Sequence, residues 1–429
     1  MAPCARDGRC KHGVEHRHVY LPLEKLDKCV VCGSTKGKGE HHKLTLCSAC
    51  GERIYCSTAC QKTDWSEHKQ HCGGDQNERI DIAMFYPFLA FLAEVFSLKK
   101  PPHFANNSPI VNDVNPTTSE PVKLPDGWEA KLVVVNDTKA WRDHDDLDSG
   151  HPKDWWPMAE SVPVAMKLMY RIMREGYVLP SLTAIALAIL AEVYTTTTGA
   201  GSTARRIRFR YWSSPIADFG IARGSALVKP EGRLAYMKMS DKSIVRGQDP
   251  DDHYWMYFTT IREEEVVLDF AMFTFNMCMM IPTKMYVSPT ENMLAQYAPA
   301  FFGDRSMRKG APSLYNERSR VSVLRNPALH DAIRHTHDTL YTYEVPLIHK
   351  FMEDFAGRAM TEVEKDLTCQ FAMEHCHAFN QNIVQDRRYK SYPTVVPQVI
   401  QSDPGELNDL DDYPLPNWKG TKKPRTMRR

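Results

Sequence analysis

The sequence predicts an α+β protein in two unequal parts, a small cysteine-rich module followed by a larger domain of helices and antiparallel strands. Three observations predict it. Nine of the 12 cysteines fall before residue 73. Beyond residue 126, runs rich in aromatic and β-branched residues read as strands, and stretches of helical spacing flank them. Their order is helices, strands, then helices again, which fits α+β layering rather than alternating βαβ units.

The bulk numbers narrow the classes. At 429 residues, with 42% hydrophobic and 25% charged residues, the chain is long enough to bury a sizeable core of its own. A formal charge of +1 gives no footprint for nucleic acid or an anionic membrane, so neither is expected as a partner. The apolar runs Ile82–Ala93 and Leu182–Leu190 are too short to cross a bilayer and read as core helices. The first ten residues lack the apolar stretch of a secretory signal. The expected setting is therefore intracellular, nucleus or cytoplasm, where clustered thiols favour metal over disulfides.

Along the chain, residues 1–27 form a polar arm rich in His and Arg. Residues 28–74 hold the cysteine cluster and end at Gly73-Gly74. Residues 75–125 read as a helix over Ile80–Leu98, packing beside the cluster, and then a linker over Pro101–Pro125 rich in Pro, Asn, Ser and Thr. Residues 126–390 form the larger domain. Its expected strands are Trp128–Val135, Arg206–Trp212, Gly232–Met239, His253–Thr260 and Glu265–Phe270. Its expected helices are Val162–Glu175 and Leu182–Tyr194, with helical pattern again from Pro327 to about Arg388. Residues 391–429 form a tail, acidic at Asp409, Asp411 and Asp412 and basic from Lys422 to Arg429, expected to be disordered.

The cysteines carry the chemistry. They run Cys29-x2-Cys32, Cys47-x2-Cys50, Cys56-x3-Cys60 and His68-x3-Cys72. A two-residue gap lets a tight turn aim both sulfurs at one ion, and a three-residue gap on a helix sets two side chains on one face. Ser57 suits the N-cap of a helix over roughly Thr58–Gln70 that orients Cys60 and His68. Eight ligands make two closed tetrahedral zinc sites, which are structural rather than catalytic. His71 competes with His68, but it adjoins Cys72 and breaks the helical spacing. Which pairs share an ion is not set by spacing alone.

The stretch from Ile54 to Cys72, Ile-Tyr-Cys-Ser-Thr-Ala-Cys-Gln-Lys-Thr-Asp-Trp-Ser-Glu-His-Lys-Gln-His-Cys, resembles the second half of the MYND zinc finger almost residue by residue. The resemblance implies interleaved sites, with Cys29, Cys32, Cys56 and Cys60 on one zinc and Cys47, Cys50, His68 and Cys72 on the other. It also implies a shallow groove at Gln61 and Trp65 for proline-containing peptides, often of Pro-x-Leu-x-Pro type. Gln61 and Trp65 are four apart and share a helix face, and an indole suits a preformed extended peptide. The bland alternative has Trp65 merely covering the cluster. Residues 1–74 carry 12 Lys and Arg against 8 Asp and Glu, and seven thiolates with two Zn2+ remove most of that excess. Beyond the finger, the chain looks like the MYND-finger proteins common in fungi, where an apolar helix holding Tyr86-Pro87-Phe88-Leu89-Ala90 follows the finger.

Other constellations are weaker. Cys4, Cys10, His12, His16 and His18 lack a recognised metal spacing. The loop Asp143–Asp148 lacks an EF-hand's glycine and terminal Glu. Cys369, His375, Cys376 and His377 diverge around a helix and form no chelating face. His253 and Asp269 on successive strands weakly resemble a transglutaminase-like core, but the expected helix start holds Ser181, and no cysteine lies between Cys72 and Cys278. The alternative packs His253, Trp255 and Tyr257 on one strand face and Tyr254, Met256 and Phe258 on the other. No Asn-His-Ser-Cys segment of SET-domain methyltransferases occurs. The resulting expectation is a zinc-binding adaptor in transcriptional or signalling regulation, not an enzyme. A transglutaminase-like hydrolase or acyltransferase using His253 and Asp269 is the competing reading.

Overall fold

The computed structural model describes residues 17–400 apart from 20, 26, 39–42, 52, 70–71, 73–76, 114–115, 117–118, 142–151, 198–205, 278, 290, 292–294, 304–313, 335–339, 341–342 and 398. Cys4, Cys10, His12, His16, His71, Cys278, the Asp143–Asp148 loop and the tail from 401 lie outside the described residues.

A curled seven-stranded sheet organises the large domain. Its order is Phe301–Gly303, Glu265–Asp269, His253–Thr260, Ser214–Ala226, Arg206–Tyr211 and Asn77–Asp81, with Tyr315–Ser322 also paired to Ser214–Ala226. The pairings are antiparallel except the last, where Asn77–Asp81 runs parallel to Arg206–Tyr211. The central strand Ser214–Ala226 contains Pro, Asp and two glycines, a loop-like composition that concealed it in the sequence. The glycines are there for space. A Cβ at Gly220 would lie 2.0 Å from the Val321 carbonyl oxygen, and one at Gly224 would lie 2.1 Å from that of Asn316.

Three helices fill the concavity. Ile82–Lys99, N-capped by Asp81, buries every residue from Phe85 to Phe96 despite Pro87 at its interior. Val178–Val193 is buried over most of its length and packs along Glu362–Phe379, which starts in a capping box of Thr361 and Glu364. Ile82–Lys99 has the length and composition of a membrane span, but its apolar faces are covered by this core. Phe85 touches Phe88, Phe209, Phe379 and Tyr392. Each such ring contributes about 1.5–3 kcal/mol of burial.

A second, smaller core lies under the four-stranded sheet Ile244–Arg246, Leu234–Lys238, Glu129–Val135 and Val122–Lys123. Trp155, Trp156 and the helix Val162–Met173 cover it. Arg174, just past that helix, ties the two cores together through Glu94 of the Ile82–Lys99 helix, with Nε to Oε2 at 2.8 Å.

Three expectations need correction. The helix after the finger does not pack beside it; it forms the middle of the large core, because nearly all of its surface is apolar. The segment expected as a linker is built in. Ala105 and Ile110 are fully buried, and Asn112 hydrogen-bonds the backbone of Leu132 and Val134. Both ends of the described chain are also attached. Arg17–Val19 pairs with Thr195–Thr197, with Arg17 bonded to Glu192 at 2.7 Å, and Tyr392 packs on Phe85 and Tyr286.

Candidate metal centre and peptide face

The finger is a hairpin and a helix wrapped around eight ligands. Thr45–Leu46 pairs with Ile54–Tyr55, and the helix Thr58–His68 follows. Ser57 is its N-cap and accepts from the Cys60 N–H at 3.3 Å, as the sequence suggests. The helix ends at His68, short of the expected Gln70. Tyr55 donates to Asp64 at 2.7 Å, locking hairpin to helix; burial and that carboxylate push the phenol's pKa well up.

Two tight turns present the paired cysteines. In each, a glycine after the second cysteine returns its N–H to the carbonyl of the first, Gly33 to Cys29 and Gly51 to Cys47, both at 2.8 Å. Gly33 (φ +70°) and Gly51 (φ +64°) occupy the left-handed region, where a side chain is strained. Sequence reasoning passed over both glycines, although Cys-x2-Cys-Gly occurs twice in register.

The ligands assemble into Cys29, Cys32, Cys56, Cys60 and into Cys47, Cys50, His68, Cys72, the interleaving the resemblance implies. Within each group all donor atoms lie within 4.8 Å of one another. Sγ–Sγ separations are 3.4 Å for Cys32–Cys56 and for Cys47–Cys72, and His68 Nε2 lies 3.5 Å from the sulfurs of Cys47 and Cys50. A zinc tetrahedron with bonds near 2.3 Å to sulfur has edges of about 3.8 Å, so the spacing fits an ion at each centre. The donor set agrees. Four thiols, or three with a neutral imidazole, saturate zinc and leave no position for water.

Thiol acidity follows from the crowding. Burial works to raise Cys29, but the backbone N–H groups of Cys32, Val31 and Cys56 outweigh it and hold its pKa down to about 6. The Cys32 sulfur, and then burial, push Cys56 up to about 12. The second group repeats the pattern, with Cys47 lowered and Cys72 raised. A divalent cation at each centre favours the thiolate form of every ligand sulfur. Zinc supplies the folding free energy that so short a segment cannot obtain from apolar burial, about 10–16 kcal/mol in small fingers.

Trp65 stands beside the second group. Its indole meets the His68 ring edge-on at 5.9 Å, yet it remains 45% exposed. Gln61 lies one turn earlier and is half-buried. The finger is fixed to the large domain through Arg79 of the strand Asn77–Asp81, whose guanidinium donates to the Cys50 carbonyl.

The strand pair expected to carry His253 and Asp269 is present. His253 Nε2 lies 2.5 Å from Asp269 Oδ2, which also accepts from the Tyr315 hydroxyl at 2.9 Å, and Asp269 Oδ1 accepts from the Ala271 N–H. Both side chains are 0% exposed, under the rings of Trp255, Phe275 and Tyr315. His253 shares a sheet face with Trp255 and Tyr257, while Tyr254, Met256 and Phe258 face the core containing the helix of Ser181. Strand alternation therefore puts Ser181 on the other side of the sheet. Ser181 instead lines a small cavity with Glu94, Arg174 and Phe270. The arrangement joins a base and a carboxylate but brings them no nucleophile among the described residues. Of the helical residues set aside earlier, His375 and Cys376 are buried, and Cys369 Sγ lies 3.5 Å from His349 Nε2.

Residues 29–72 match the MYND finger family, over the segment that holds all eight ligands. No curated protein and no solved structure matches the chain. The segment is thus a MYND-type zinc finger with two structural zinc sites, a class of module that mediates protein–protein interaction. The large domain has no assignment from these matches.

Proposed function

We propose that this chain is an intracellular adaptor whose finger captures proline-containing peptides on the helix face of Gln61 and Trp65. The carrying observation is the position of Trp65. An indole that only sealed the metal site would be buried, whereas this one contacts His68 by an edge and leaves almost half its surface to solvent. Exposed indoles anchored on a rigid base make effective sites for extended proline segments, which lose little entropy on docking. The metal sites supply the rigid base, and Arg79 holds the base to the large domain.

A panel of synthetic peptides of Pro-x-Leu-x-Pro type, titrated into the full chain and its Trp65→Ala variant, tests this reading. At least one peptide should bind the wild type and lose about thirtyfold or more in the variant, the scale of a hot-spot aromatic. Equal binding by both proteins, or none by either, contradicts it. The transglutaminase-like alternative has the His253–Asp269 contact in its favour, but that pair is sealed and faces away from Ser181, so the adaptor reading is preferred.

A further inference from the structure

We infer that the small cavity between the helices Ile82–Lys99 and Val178–Val193 binds a monocarboxylate the size of acetate, held by the hydroxyls of Ser97 and Ser181 and by the first turn of the second helix. The site is separate from the finger and does not depend on the peptide-binding reading above.

The donors are in place and unused. Ser181 is only 8% exposed and lines this cavity of about 30 Å³, as does Ser97 from the other helix. Among the described residues, neither hydroxyl has a hydrogen-bond partner. A hydroxyl as deeply buried as that of Ser181 is seldom left unpaired. The Cα–Cβ bonds of a helix tilt toward its N-terminus, so Ser181 leans back over the first turn. That turn has no side-chain cap at Tyr177, and the N–H groups of Val178 and Leu179 have no acceptor among the described residues. An uncapped helix start offers such donors, and the positive end of its dipole, to an anion.

Charge and size select the ligand. Glu94 also lines the cavity, but Arg174 donates to both of its carboxylate oxygens, so it is already neutralised. Arg171, Lys100 and Glu175 gather behind this pair, and Lys100 donates to the carbonyls of Glu175 and Gly176. Lys100 and Glu175 offset one another, which leaves two arginines against one glutamate, an excess of a single positive charge. A monoanion balances that excess, whereas a phosphate would overshoot it. The volume admits about two to three water-sized groups, enough for the oxygens and methyl of acetate and little more. Leu182 and Phe270 supply apolar wall for the methyl. Gly176 is exposed and Ser97, Tyr177 and Val178 are half-buried, which puts the entrance on their side. Bound there, the ligand would bridge the two helices beside Arg174, the residue that joins the two cores.

The test titrates isotope-labelled acetate into the full chain and follows the broadening of its resonance, with ionic strength held constant by chloride. Saturable binding with a Kd on the order of 1 mM is expected for so few atoms. Ser181→Ala should weaken it about tenfold, the scale of one hydrogen bond to a charged group, and Ser97→Ala added to Ser181→Ala should remove it. Alanine is favoured in helices, so both variants should melt as wild type does in acetate-free buffer. Acetate should raise the Tm of wild type but not of the double variant. Trp65→Ala should bind acetate as wild type does. The inference is overturned by the absence of saturable binding against chloride, or by equal binding to wild type and the double variant. Phosphate that displaces acetate at equal concentration would also overturn it, by marking a general anion site.

Discussion

The indole of Trp65 meets the imidazole of His68 edge-on with 5.9 Å between ring centroids, one turn apart on a helix whose last residue is that histidine. One side chain thereby supports a metal ligand and presents a surface. The two roles separate energetically, because an edge contact of this kind is worth about 0.5–1.5 kcal/mol against the much larger binding energy of zinc. Trp65→Ala should therefore keep two zinc ions per chain by elemental analysis. A variant that emerges with only one would mean that the indole is chiefly part of the metal site.

Gly33 and Gly51 close the two cysteine turns in the left-handed region. A Cβ at Gly33 would meet nothing within 4 Å, so the cost of Gly33→Ala is conformational alone, about 1–2 kcal/mol. Competition with a chromogenic chelator should show the finger releasing zinc about tenfold more readily. Unchanged release would indicate that the turn does not limit the site.

The buried His253–Asp269 pair is a structural element in this account. His253→Ala leaves a carboxylate at 0% exposure with only the Tyr315 hydroxyl and a backbone N–H. Denaturant melts should record a loss of about 3–5 kcal/mol. Peptide binding by the folded variant should be unaffected, and a loss of peptide binding at full stability would contradict the assignment.

His375 is buried in the Glu362–Phe379 helix, where loss of solvation lowers its pKa from the ordinary 6.5 to about 3. The folded chain refuses a proton that the unfolded chain accepts. This contribution is intact above pH 6.5 and is lost as pH falls from there toward 3. Melts at stepped pH should find wild type losing stability faster than His375→Phe between pH 6.5 and 4, with the two converging in slope above 7. Parallel curves throughout would refute the burial argument.

The finger was legible because its information is local. Eight ligands in four short pairs, with Ser57 at the helix start, specify geometry within a few residues, and the structure groups them as the family resemblance implies. In the large domain, His253–Thr260 and Glu129–Val135 are found where aromatic and β-branched content put them. What stayed hidden depends on distant partners. Ser214–Ala226 is a strand because Tyr315–Ser322 and His253–Thr260 pair with its two edges, and its glycines exist for those neighbours. Ile110 and Asn112 looked like linker because the strand they join, Glu129–Val135, is what buries them.

The most direct measurement is zinc content paired with amide exchange on freshly purified chain. Two ions per molecule are predicted, and stringent chelation should erase protection over residues 29–72 while the helices Ile82–Lys99 and Val178–Val193, held by their own apolar core, keep theirs. Fewer than two ions, or a finger that stays protected once its metal is gone, would contradict the claim that zinc replaces a hydrophobic interior there.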